Sequence, residues 1–244
     1  MPVFKRDQVT IYFEEHGSGI PVLLLAPGGM RSSISMWPNA PFNPLVSLGD
    51  TFRLIAMDQR NIGRSGGPLD IEDPWGAYAK DQLSLLDYLG IDAFHVIGCC
   101  IGGSYILKMI QLEPDRITSA VLEQPIGVSA ENQALFEQQW RSWGKDLVEH
   151  RDDLDMAAVE AFGSRMWGGG DFVLSVPREF VQSCQTPLLV LPGNDAYHPA
   201  STAREIAILA PRGEILDSWS ETPESLANTI ESVRKFLLSH TPRS

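Results

Sequence analysis

The chain has 244 residues, 43% hydrophobic and 20% charged, which suits one large α/β domain with its own core. Its formal net charge of −12 opposes phosphate backbones and anionic lipid, so neither nucleic acid nor a membrane surface is an expected partner. Residues 1–10 carry Lys5, Arg6 and Asp7 without an apolar stretch, no apolar run is long enough to span a bilayer, and two of the three cysteines are adjacent; the expectation is a cytoplasmic, reducing setting with no secretory signal and no disulfide framework.

Short β-branched and leucine-rich runs alternate with amphipathic stretches, the pattern of a mostly parallel central sheet flanked by helices. In chain order, strands are expected at 9–13, 22–26, 53–57, 94–98, 117–123, 188–191 and 214–216, the central ones apolar on both faces. Helix patterns lie between them: 74–89 with Asp73 as N-cap, about 101–112, one starting at Pro199, and a last one from Thr222-Pro223 that places Leu226, Ile230, Val233 and Leu237 on one face. The segment 127–184 breaks this rhythm. It carries Trp140, Trp143 and Trp167, is punctuated by Gly168-Gly169-Gly170, and shows no strand pattern. Its length predicts a small helical lid rather than an ordinary crossover, giving a core of residues 1–126 and 185–244 with a lid at 127–184.

The strand at 94–98 runs directly into Gly98-Cys99-Cys100-Ile101-Gly102-Gly103 and then into a helix. This is a Gly-x-nucleophile-x-Gly arrangement at a strand-to-helix turn, with Cys100 in the central position and Cys99 as the first x. Glycines are needed there because the nucleophile sits on a sharp, strained turn where backbones approach closely. A thiol at a helix N-terminus also has its thiolate favoured by the helix dipole. The competing reading is a plain βα turn with Cys100 as a small apolar filler.

Over essentially its whole length the chain resembles the α/β-hydrolase superfamily. Leu23-Leu24-Leu25-Ala26-Pro27-Gly28-Gly29 resembles its strand followed by His-Gly-x, with Pro27 where histidine is common. Met57-Asp58-Gln59-Arg60-Asn61-Ile62-Gly63-Arg64-Ser65 resembles its Asp-x-Arg-x-x-Gly-x-Ser turn, residues 95–103 resemble its elbow, and Leu191-Pro192-Gly193-Asn194-Asp195 resembles the segment supplying its acid. A cysteine at the nucleophile is similar to the dienelactone hydrolases. The resemblance implies an α/β-hydrolase fold and an oxyanion hole from backbone N–H groups, one from Ile101 and the other from Gly29 or Met30.

The family's base normally follows the last strand, where this chain has Asp217-Ser218-Trp219-Ser220-Glu221-Thr222 and no histidine. Of the five histidines, only His198 follows a strand on the side where the elbow opens, which makes it the candidate base, with His150 next. A helix N-terminus after Pro199 is expected to keep its ring neutral and able to take a proton. Asp195 matches the acid position, and Glu123, at the end of the 117–123 strand, is the substitute acid. No cofactor motif and no metal-ligand spacing are present in the sequence. The expected activity is cofactor-independent hydrolysis of a small ester, lactone or thioester through a Cys100 acyl-enzyme. The segment's tryptophans suggest an apolar or aromatic acyl substrate. Alternatives are an acyltransferase or lyase on the same scaffold, or a non-catalytic small-molecule binder with a degenerate triad.

Overall fold

The computed structural model describes residues 2–129, 131–168, 170 and 172–242, so Gly169, in the middle of the glycine run, lies outside the described residues. Eight strands form one sheet: β1 (Val3–Arg6), β2 (Val9–His16), β3 (Ile20–Leu25), β4 (Phe52–Met57), β5 (Phe94–Cys99), β6 (Ile117–Glu123), β7 (Leu188–Leu191) and β8 (Gly213–Ile215). Their order is β1-β2-β4-β3-β5-β6-β7-β8. Pairing is antiparallel for β1 with β2 and β2 with β4, and parallel from β4 to β8. The seven expected strands are all present, and β1 is an eighth that sequence patterning does not reveal.

Strand periodicity divides the core into two layers. Leu23, Leu25, Val96 and Leu122 point to one face, while Val22, Leu24, Ile97 and Val121 point to the other, and all are fully buried or nearly so. On the first face lie α2 (Pro74–Tyr88) and α3 (Ile101–Leu112); on the second, α8 (Pro223–Ser239) contributes Val233, Phe236 and Leu237. The short α1 (Pro44–Ser47) follows Phe42, which is buried in that same layer. Helix ends follow the expected chemistry. The Asp73 carboxylate accepts from Gly76 N at 3.0 Å, and Thr222 and Ser225 form a reciprocal capping box ahead of Pro223.

Residues 127–184 hold α4 (Gln133–Glu149), α5 (Met156–Trp167) and α6 (Arg178–Ser183), with no strand among the described residues. α4 and α5 form a tight pair because Gly144 and Gly163 leave room for Val159 and the Trp140 ring; a Cβ on Gly163 would lie 2.4 Å from that ring. Polar ties fasten the segment to the loop after β4 and to α2 and α3: Trp143 Nε1 donates to Asn61 O at 3.2 Å, Trp75 Nε1 to Met166 O at 2.9 Å, and Ser104 Oγ to Val173 O at 2.7 Å. The last helix but one, α7 (Ala200–Leu209), covers β7 and β8. Among the described residues, no helix is long and apolar enough to cross a membrane.

Candidate active site

The site begins at the end of β5. Cys100 adopts φ 60° and ψ −116°, a conformation that L-residues rarely hold and that persists only when its surroundings over-determine it. They do so here. The Cys100 N–H donates to Glu123 O at 2.9 Å, and Ile126 N and Gly103 N donate to Cys100 O at 3.3 and 3.2 Å. The flanking glycines are steric necessities. A Cβ on Gly98 would lie 2.7 Å from the Gly102 backbone, and one on Gly102 would lie 2.7 Å from Leu25 O. The turn therefore lifts a half-buried Cys100 to the head of α3, as the sequence pattern predicts, while Cys99 is buried beneath it.

The second component comes from the loop between β7 and α7. Asp195 Oδ1 accepts from Tyr197 N at 2.8 Å and His198 N at 3.0 Å, a compact aspartate turn that folds the loop back on itself. Its other oxygen, Oδ2, lies 2.9 Å from His198 Nδ1. Gly193 makes this possible, since a Cβ there would lie 2.4 Å from His198 Cβ. The imidazole is held on one side by Asp195 and faces the Cys100 thiol with the other. Nε2 is buried with no partner other than the sulfur it faces, and ring and sulfur favour each other's charged forms through hydrogen bonding first and charge second.

That coupling bears on the protonation of the pair. Burial raises the Cys100 thiol, but His198 and the backbone N–H groups of Gly28 and Ile101, which bond the sulfur, outweigh it and leave the thiol below its ordinary value. Burial likewise lowers His198, yet Cys100 and Asp195 together push it up to about 9. Asp195, despite its own desolvation, is held below the usual carboxylate range by His198. These directions run against the neutral His198 ring expected from its place ahead of α7: Cys100 and Asp195 favour its charged form, opposing the partial positive charge of the helix end.

Glu123 sits elsewhere. It is fully buried beside Cys99, its Oε1 accepts from Phe42 N at 3.0 Å, and burial pushes its carboxyl up to about 8. It bonds the Phe42 main chain and the Cys99 thiol and feels His198 and Cys100 through charge, whereas the carboxylate hydrogen-bonded to His198 is Asp195. Gly29, at φ 58°, lines the cavity beside Cys100, whereas the Met30 side chain is buried in the core. His150 is exposed at the end of α4, bonded to Asp146 O at 2.7 Å, and lines a different cavity. The segment after β8, where a histidine is absent, is filled by Trp219, whose Nε1 donates to Pro192 O at 2.8 Å.

A cavity of about 230 Å³ opens over Cys100 and His198, with Pro27, Ala40, Pro41 and Tyr197 as apolar walls. None of Trp140, Trp143 and Trp167 lines this cavity, to which α4 contributes Gln139; Trp140 and Trp167 line a separate cavity of about 280 Å³, and Trp143 lines another. Gln139 Nε2 donates to Gly28 O at 3.1 Å, and its amide fills the place a side chain on Gly29 would need. Sequence reasoning missed both Gly28 as a donor to the sulfur and Gln139. The only local signal was the Gly28-Gly29 pair, both residues at positive φ.

A family model described as alpha/beta hydrolase fold matches residues 21–180. The chain belongs to this family. It is 32% identical over 115 residues to a protein named as a carbamate hydrolase in Agrobacterium fabrum, a match covering 46% of this chain but only 42% of that relative's length. To a proline iminopeptidase of Neisseria meningitidis serogroup A it is 31% identical over 238 residues, covering 92% of this chain and 74% of the relative. Among solved structures, it superposes on an enol-lactonase from Burkholderia xenovorans with a TM-score of 0.72 at 20% identity, over 97% of this chain and 100% of the other. With a meta-cleavage product hydrolase from Pseudomonas fluorescens the TM-score is 0.70 at 19% identity, over 96% of both chains. At such identities the superpositions speak for the α/β-hydrolase fold alone.

Proposed function

We propose that this alpha/beta hydrolase family member hydrolyses a small ester, lactone or thioester through an acyl-enzyme on Cys100. The observation that carries the reading is the Asp195–His198–Cys100 alignment: a carboxylate 2.9 Å from one ring nitrogen, and a depressed thiol facing the other. In this mechanism the Cys100 thiolate attacks the acyl carbonyl carbon and forms a C–S bond. The N–H groups of Ile101 and of the Gly28–Gly29 turn hold the oxyanion, and His198 Nε2 gives its proton to the departing alkoxide or thiolate. Water then attacks the thioester, its proton passes to His198, and the C–S bond breaks to release the acid and regenerate the thiolate. Asp195 fixes the ring's orientation and stabilises its charge throughout. Residues 127–184 act as a helical lid, with Gln139 reaching from α4 to the cavity wall.

The hydrolase names of the relatives, from carbamate and 2-hydroxymuconate semialdehyde hydrolases to a proline iminopeptidase, support acyl or related bond hydrolysis in general. The test is direct. Wild-type protein mixed with a panel of aryl esters, enol lactones and thioesters should show turnover and, by mass spectrometry after acid quench, an acyl adduct on Cys100. Turnover that survives in Cys100→Ala would overturn the acyl-enzyme.

A further inference from the structure

The polar side chains that reach the Cys100 cavity share one character. Asn39, Gln124 and Gln139 are carboxamides, neutral groups that both donate and accept, and the described residues lining the cavity include no lysine or arginine. The nearest basic side chain in sequence, Arg31, is turned away: it is bonded to Ser142 and ion-paired with Asp146 on α4, and it lines a separate cavity with His150. The charges that do belong to the site sum to −1, because Cys100 and His198 share one proton and are neutral together in either arrangement, which leaves the Asp195 carboxylate 2.9 Å from the His198 ring. The surface beyond adds to the same sign, with 31 acidic against 19 basic residues in the chain.

We propose that the cavity selects uncharged acyl compounds and rejects those carrying a carboxylate beside the scissile carbonyl. The inference rests on the hydrolase reading above and narrows its substrate class. A carboxylate there would meet like charge with no cation to pair it, in a partly desolvated pocket where such juxtaposition is costly. Small hydroxyl, carbonyl or amide groups on the acyl portion find partners in the three carboxamides. At about 230 Å³ the cavity lies below the range of roughly 300–1,000 Å³ that accommodates drug-sized ligands, so the acyl portion is small. The same field aids turnover. Hydrolysis converts a neutral substrate into an acid that ionises at neutral pH, and the site then repels its own product.

Two alkylating reagents of nearly equal size give the test: neutral iodoacetamide and anionic iodoacetate. Their rates at Cys100 are measured by mass spectrometry and each is divided by its rate with 2-mercaptoethanol, corrected for thiolate fraction. The expected result is a preference for iodoacetamide at least about tenfold beyond that of the free thiol. Asn39→Lys, at an exposed position on the rim, should narrow that preference severalfold, with circular dichroism showing that the fold is kept. A matched neutral and carboxylate-bearing thioester pair should show about 100-fold higher kcat/KM for the neutral member. Iodoacetate reacting as fast as iodoacetamide at a reactive Cys100, or equal kcat/KM for the two thioesters, would overturn the selectivity and leave the hydrolase reading standing. A Cys100 inert to both reagents would instead overturn the hydrolase reading and this inference with it.

Discussion

Asp195 holds His198 twice, accepting from its backbone N–H at 3.0 Å with one carboxylate oxygen and lying 2.9 Å from ring Nδ1 with the other. Acid and base therefore share one short loop, and the ring's direction is set by the same turn that caps Tyr197 N.

This double hold separates two substitutions. His198→Ala removes the proton carrier and should lower acyl turnover by about 100- to 10,000-fold, the usual range for a positioned acid–base group. Asp195→Asn keeps an oxygen for the backbone N–H groups but removes the charge, and is expected to cost less. It should also carry a pH signature. Without the Asp195 anion the imidazolium is less favoured, so the Cys100 thiolate loses support and its apparent pKa rises, seen as an upward shift in the pH profile of alkylation.

The three thiols should separate in a labelling time course at neutral pH. Cys100 is half-buried and depressed, whereas burial raises Cys184 and drives Cys99 well above the ordinary thiol range. Brief exposure to iodoacetamide, followed by peptide mass mapping, is expected to mark Cys100 first. Preferential modification of Cys99 or Cys184 would contradict the assignment. Because His198 and the backbone donors hold the Cys100 thiol below its ordinary value, its labelling should persist at lower pH than that of a free thiol.

Glu123→Gln distinguishes positioning from acid catalysis. The glutamine still offers an oxygen to Phe42 N, so turnover at neutral pH should stay near wild type; a loss as deep as that of Asp195→Asn would make Glu123 the acid. Stability gives an independent reading. The buried carboxyl is pushed up to about 8, so between the ordinary carboxyl range and about 8 the folded state holds a proton that the unfolded state has released. Its contribution is full below the ordinary range and declines as pH rises to about 8, by up to about 1.4 kcal/mol per pH unit. Thermal melts from pH 5 to 8 should fall more steeply for wild type than for Glu123→Gln.

Gly102→Ala probes the elbow's geometry without touching its chemistry. The added Cβ would lie 2.7 Å from Leu25 O, so β3 or α3 must shift. A loss of about 1–3 kcal/mol in urea unfolding is expected, with turnover falling further than stability because Cys100 moves with the turn.

Limited proteolysis addresses the proposed lid. The connection between α4 and α5, at 150–155, is largely exposed and should be cut before any loop of the sheet. Initial cleavage between sheet strands would argue against a separable segment.

Much of this architecture is legible from residues alone, for identifiable reasons. β5, β6 and β7 are buried almost throughout, so their centres appear in sequence as apolar runs, broken only by His95 in β5 and by Thr118 and Ser119 in β6. β1 escapes notice because Val3-Phe4-Lys5-Arg6 is short, carries two cations and lies at the sheet edge. The elbow is readable because Gly98 and Gly102 answer to steric limits within a few residues of Cys100. The contact of Gln139 with Gly28 joins residues 111 positions apart, and no local pattern encodes it. The upward pull on His198 is hidden for a related reason: the dipole of α7 is visible in sequence, but Cys100, which opposes it, arrives from the end of another strand. Tryptophans 140, 143 and 167 mark the packing of α4 and α5, a role that composition cannot tell from ligand contact.

Gly28 faces two ways through its two flanking peptide groups. Its N–H meets the Cys100 sulfur, and its carbonyl accepts both Arg31 N at 3.0 Å and the Gln139 amide at 3.1 Å. One residue, through the two peptide planes that meet at its Cα, thus links the reactive thiol to α4, more than a hundred residues further along the chain. A compound that pries α4 from its seat, without entering the cavity over Cys100, would remove the Gln139 hold on that carbonyl and let the Gly28 turn relax. The thiolate would then lose a donor, and the site would be inhibited from outside it.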